Sequence, residues 1–109
     1  MPPGQRLIFV SGQVAIDETG ALVGKGDVAA QAVQVFKNIH RILSDSGATI
    51  NDIVKVNWYF RDMGDRAKIA AAREKFLGTH RPASTAVAIT TLVDPDWLIE
   101  VDCVAAVRA

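Results

Sequence analysis

From Ile99 to Val107 the chain alternates with a period of two. Ile99, Val101, Cys103, Ala105 and Val107 fall on one side, Leu98, Glu100 and Asp102 on the other. Such a run belongs in a sheet with its apolar side covered, so Glu100 turns away from the covered layer. Upstream, Arg81-Pro82-Ala83-Ser84-Thr85-Ala86-Val87-Ala88-Ile89 reads as a second strand, set off by a break through Asp94-Pro95-Asp96. Val87 and Ile89 look like its buried set, and alternation then places Ser84, Ala86 and Ala88 on the open side with Glu100. At 109 residues the chain makes one domain, residues 1–109, long enough to bury roughly two-thirds of its unfolded surface around one core.

The remainder supplies what can cover that sheet. Leu7 to Val14 is rich in β-branched and aromatic residues, and Asp17-Glu18-Thr19-Gly20 carries turn chemistry before Ala21-Leu22-Val23, which together read as a hairpin. Gly12 inside the first strand marks a bulge or a close approach of the backbone to another group. Between Val28 and Ser46 the period becomes helical, with Ala29, Ala32, Val33, Phe36, Ile39 and Leu43 as the inner stripe, Asp27 as cap and Gly47 as stop. From Ile53 to Asp62 the period returns to two, with Val54, Val56, Trp58 and Phe60 opposite Lys55, Asn57, Tyr59 and Arg61. A second helix opens at Asp65, turns Ile69, Ala72 and Phe76 inward, and ends at Gly78.

The order β-β-α-β-α-β-β predicts an α+β fold, one mixed sheet with two helices on one face and at least one parallel pair across the strand-helix-strand unit. The helices account for the sides bearing Val54, Trp58, Val87, Ile89 and Val101. Nothing in the chain remains for the side bearing Tyr59, Ala86, Ala88, Leu98 and Glu100, so a second subunit covers it or it stays wet.

Twelve Lys and Arg balance twelve Asp and Glu with no basic run, which gives nucleic acid no electrostatic footing. One cysteine excludes an internal disulfide framework, and Met1-Pro2-Pro3-Gly4-Gln5-Arg6 lacks the apolar core of a signal peptide, so a reducing cytoplasm is the expected location. No apolar run approaches the ~20 residues of a membrane span. His40 and His80 have no cysteine ligand pattern beside them, and no metal site is expected. Cys103, on the apolar side of its strand, reads as core packing.

Two stretches carry a family likeness. Pro82-Ala83-Ser84-Thr85, the strand after it and Leu98-Ile99-Glu100-Val101 resemble the signature of the Rid proteins (RidA/YjgF/UK114), and Phe9-Val10-Ser11-Gly12-Gln13 is similar to that family's second hallmark. The similarity runs from about Leu7 to Ala106. It implies a YjgF-like, chorismate-mutase-like fold, a homotrimer packed in barrel fashion, ligand clefts at subunit boundaries, no cofactor, and hydrolysis of small imines or enamines. It also implies a role for Glu100 in positioning or deprotonating water, and a ligand-binding role for Ser11, Gly12, Gln13, Ser84 and Thr85.

The likeness has gaps. Where the deaminating branch has an arginine for the substrate carboxylate, this chain has Ser84; the helix asparagine aligns with Ala70, the Cys or Thr two residues past the arginine with Ala86, and only six residues precede Leu7, where relatives have a strand with a tyrosine. A bidentate arginine contact is worth about 2 to 4 kcal/mol, which a serine does not supply. Arg61, Arg73 and Arg81 are candidate substitutes, or solvated surface charges. Glu100 is either a base or half of an ion pair with Lys55 or Arg61. Two functions follow: a hydrolase of unusual specificity, or a trimeric module that binds a metabolite or protein without turnover.

Overall fold

The computed structural model describes residues 4–108. Four strands, β1 (Gln5–Gln13), β2 (Ile53–Phe60), β3 (Ala83–Ala88) and β4 (Ile99–Arg108), form one sheet in the order β1-β4-β2-β3. Two helices, α1 (Val28–Asp45) and α2 (Arg66–Leu77), lie on one face. β4 pairs antiparallel with both β1 and β2, while β2 and β3 pair in parallel across α2. Ile99, Val101, Cys103 and Ala105 are all buried, as their alternation predicts.

The core is the layer between this face and the helices. The Phe36 ring of α1 meets the Trp58 ring edge-on at 5.7 Å between centroids and stacks on Phe76 of α2 at 4.2 Å, tying sheet and both helices into one aromatic column. Of the inner stripe expected for α1, Ala32, Phe36, Ile39 and Leu43 are buried. Ala29 and Val33 face outward, while Val35, Gln31 and Asn38 are buried. Both polar side chains are satisfied. Asn38 Nδ2 donates to the Val14 and Ile16 carbonyls, each at 3.0 Å. Gln31 donates to the Gly24 (3.1 Å) and Asp96 (3.0 Å) carbonyls and accepts from Leu98 N–H (2.8 Å).

That wiring alters the expected hairpin. Beyond β1 only Ile16 and Leu22 form a bridge, and residues 21–23 do not extend into a strand. The turn itself is as read, with Thr19 N–H, Thr19 Oγ1 and Ala21 N–H all donating to Asp17 Oδ1. These bonds hold the Asp17 carboxyl below its ordinary pKa, the Thr19 hydroxyl contributing most. The chain then swings into α1 through Gly24, whose φ of +80° suits glycine and whose Cα lies where a side chain would collide with Ala30.

A second correction concerns which side of the sheet β3 presents. Val56 pairs with Ser84, Trp58 with Ala86 and Phe60 with Ala88, so Ser84, Ala86 and Ala88 share the helix side. Thr85 and Val87 are on the open side. The whole strand is exposed, so burial gives no contrast between its sides. Val54 is also displaced: the register slips between Ile53 and Lys55, and Val54 lies exposed beside that irregularity. Leu98 packs at the margin of the core and not on the open face. The open face is built instead from Leu7, Phe9, Ser11, Lys55, Asn57, Tyr59, Thr85, Val87, Glu100, Asp102 and Val104.

Candidate functional site

Glu100 sits near the start of β4, paired with Tyr59 on β2 and two residues from Asp102 on the same side. Across the other edge of β4 the register slips. Val10 pairs with Cys103 and Gln13 with Val101, so Ser11 and Gly12 together lie opposite the single residue Asp102. Both readings of Gly12 therefore apply, because the bulge presses its backbone onto the Glu100 carboxylate. A β-carbon at position 12 would meet Glu100 Oε2 and lie 2.7 Å from Cδ. Gln13 Nε2 turns back to donate to the Ser11 carbonyl at 3.1 Å.

Partial burial raises the Glu100 pKa, and the Asp102 carboxylate raises it further. The Tyr59 hydroxyl is raised as well, by burial first and then by the neighbouring carboxylates Asp102 and Glu100. No cation offsets this. Lys55 Nζ donates to Thr85 Oγ1 at 2.6 Å, the Arg61 guanidinium donates to the Pro95 carbonyl, and neither forms an ion pair with Glu100 among the described residues. Asp102 accepts from Asn57 Nδ2 at 2.7 Å, which holds its side chain in place. Cys103, on the other side of β4, has its thiol pushed up to about 11 by burial and then by Asp102, and stays a packed, protonated group.

The open face thus gathers Ser11, Gly12, Glu100 and, further along, Thr85. Ser84 is not among them. Its hydroxyl is on the helix side, where Trp58 Nε1 donates to Oγ at 2.8 Å. There it borders a cavity of about 530 Å³ between α2 and strands β2 and β3, lined by Trp58, Phe60, Met63, Ile69, Ala70 and Ala86, with Arg66 and Arg73. Three small residues on facing elements, Ser84, Ala86 and Ala70, leave this space unfilled. Arg66 was not singled out from sequence; its position at the first turn of α2, seven residues before Arg73, places both on one side of the helix. Of the other candidate cations, Arg81 is engaged with Glu74 (2.8 Å) and the Gly78 and His80 carbonyls at the end of α2. Among the described residues no group of three His, Cys, Asp or Glu side chains is arranged to hold a metal ion, and no helix is long and apolar enough to cross a membrane.

The sequence model of the endoribonuclease L-PSP family matches residues 4–107. A RutC family protein of Pyrococcus abyssi is 43% identical over 99 residues, covering 90% of this chain and 76% of its own length. The 3-aminoacrylate deaminase RutC of Acinetobacter baylyi is 36% identical, covering 91% and 78%. The 2-iminobutanoate/2-iminopropanoate deaminase of Salmonella typhimurium is 34% identical, covering 94% and 80%. Among solved structures, RidA from an Antarctic Psychrobacter superposes with a TM-score of 0.86 at 31% identity, covering 93% of this chain and 80% of that one. With the family match spanning nearly the whole chain and the fold agreeing, the chain belongs to the Rid family, also described as endoribonuclease L-PSP.

Proposed function

We propose that the protein is a Rid-type hydrolase of small imines or enamines, with Glu100 handling the attacking water in a cleft between subunits of a homotrimer. The observation that carries this reading is the Glu100 carboxylate, seated on Gly12 without a cation and with its pKa raised toward the range useful for proton transfer. Two relatives named as deaminases, one of 3-aminoacrylate and one of 2-iminobutanoate/2-iminopropanoate, support the reaction class.

The chemistry needs one base that later serves as an acid. Glu100 takes a proton from water as its oxygen adds to the C=N carbon and the C=N electrons move to nitrogen. The nitrogen is protonated, Glu100 accepting and returning protons, and the C–N bond breaks as ammonia leaves and C=O forms. An enamine enters after tautomerising to the imine. Hydrolysis written this way uses water alone and no cofactor. Ser11, Gly12 and Gln13 offer backbone and side-chain donors beside Glu100, and Thr85 a hydroxyl. Ser84 faces the other side of the sheet, so in this reading it reaches the same substrate only from a neighbouring subunit. The second reading, a trimeric module that binds without turnover, is favoured by the serine in place of the family arginine.

The test is ammonia and 2-oxo acid release from imines generated in place. Glu100→Gln is expected to keep the fold and lower turnover about 100-fold. Unchanged release in that variant, or none from the wild type with any imine or enamine offered, removes the hydrolase reading.

A further inference from the structure

Every polar side-chain group free to act in the cavity beneath β3 is a donor. Trp58 Nε1–H is spent on Ser84 Oγ, which leaves the serine O–H as a donor without a partner among the described residues. Arg66 and Arg73 add two guanidinium groups from one side of α2, and no carboxylate is among the lining residues. Arg73 is loosely held, 3.4 Å from Glu74, whose other oxygen is bound by Arg81 at 2.8 Å. The rest of the wall is apolar: Trp58, Phe60, Met63, Ile69, Ala70 and Ala86. A cavity of about 530 Å³ equals the liquid volume of roughly 18 waters. That is far more than a three- or four-carbon acid fills, and lies within the usual range of ligand pockets.

We propose that this cavity binds organic carboxylates of about six carbons or more in all, with an apolar tail of about four carbons or more, gripped by Arg66 and Arg73 of α2. The anion clamp that position 84 lacks is then supplied from the helix facing it, and the small residues 70, 84 and 86 make room for the longer chain. This deepens the preceding reading, on which it rests for the reaction but not for the binding.

The probes are 2-oxohexanoate, 2-oxopropanoate and 2-oxohexanamide, titrated calorimetrically into the intact protein. Three added methylenes and the charge predict that 2-oxohexanoate binds at least tenfold more tightly than either of the others. Arg66→Gln and Arg73→Gln should each weaken it about tenfold, the pair together at least 30-fold, while Arg41→Gln on α1 changes nothing. Both arginines are solvent-accessible, so the variants should fold, as circular dichroism would verify. Equal binding of acid and amide, or a double variant that binds like the wild type, overturns the proposal. Ammonia release from 2-iminohexanoate separates the two readings. Arginine-dependent binding without release keeps the pocket and removes the hydrolase. Release that is indifferent to both arginines keeps the hydrolase and removes the pocket.

Discussion

At the scale of single residues the chemistry turns on one contact, Gly12 against Glu100. The colliding atoms are the end of a flexible side chain, so Gly12→Ala should leave the fold intact and push the carboxylate aside. We expect at least a tenfold loss of turnover, as a base displaced from its proton loses most of its effect. Circular dichroism should be unchanged; if turnover is unchanged too, the contact has no catalytic meaning. Glu100 also makes a prediction about stability. Its folded-state pKa is raised, so the folded protein holds the proton more tightly than the unfolded chain. Its contribution is then fully present below the ordinary glutamate pKa and is lost as pH rises through the raised value. Glu100→Gln should match the wild-type melting temperature near pH 4 and exceed it at pH 7 to 8. An ion pair with Lys55 or Arg61 would give the opposite sign at neutral pH. Melting curves of both proteins across that range decide between them.

At the scale of elements, the buried amides of α1 hold the loops that frame the site. Gln31→Ala would strip the partners from Leu98 N–H and from the Gly24 and Asp96 carbonyls, just ahead of the strand bearing Glu100. The expected cost is about 2 to 4 kcal/mol in urea unfolding, against under 0.5 kcal/mol for the exposed Arg41→Ala. These amides also show where sequence reading stops. Strand β4 is legible because every second side chain meets the core, and α2 because Ile69, Ala72 and Gly78 mark its inner side and its end. The stripe of α1 is read correctly at Ala32, Phe36, Ile39 and Leu43 but misses Gln31 and Asn38, which apolar periodicity counts as solvent-facing although backbone carbonyls from distant loops hold them inside. β3 fails for another reason. An edge strand of small residues exposed on both sides has no burial pattern to read, and only its parallel register with β2 turns Ser84 toward the helices. The nearness of Gly12 to Glu100 follows from a bulge, whose partner no single strand reveals. Arg66 went unnoticed because its pocket is made by what is small on two other elements.

At the scale of the molecule, the open face leaves large apolar side chains exposed. Phe9 is 74% exposed, Leu7 45% and Val87 41%, on a side where no element of this chain packs. These residues border the polar group of Tyr59, Glu100 and Asp102, so a subunit that covered the first set would also shield the second from water. That is the setting in which a carboxylate pKa rises and hydrolysis escapes bulk solvent. The expected assembly is a homotrimer of about 35 kDa from chains of 11.7 kDa. Because association stabilises only the folded form, its melting temperature should climb with protein concentration. Phe9→Glu plants a charge at the most exposed member of the apolar set and, being exposed in the single chain, should not disturb the fold of one subunit. Light scattering should then find a monomer with native circular dichroism, and turnover should fall with trimer content if the cleft lies between chains. A wild type that scatters as a monomer at micromolar concentration would remove the shared cleft. A monomeric Phe9→Glu that retains full turnover would keep the assembly but confine the chemistry to one face of a single chain, where Ser84 and the α2 arginines cannot reach it.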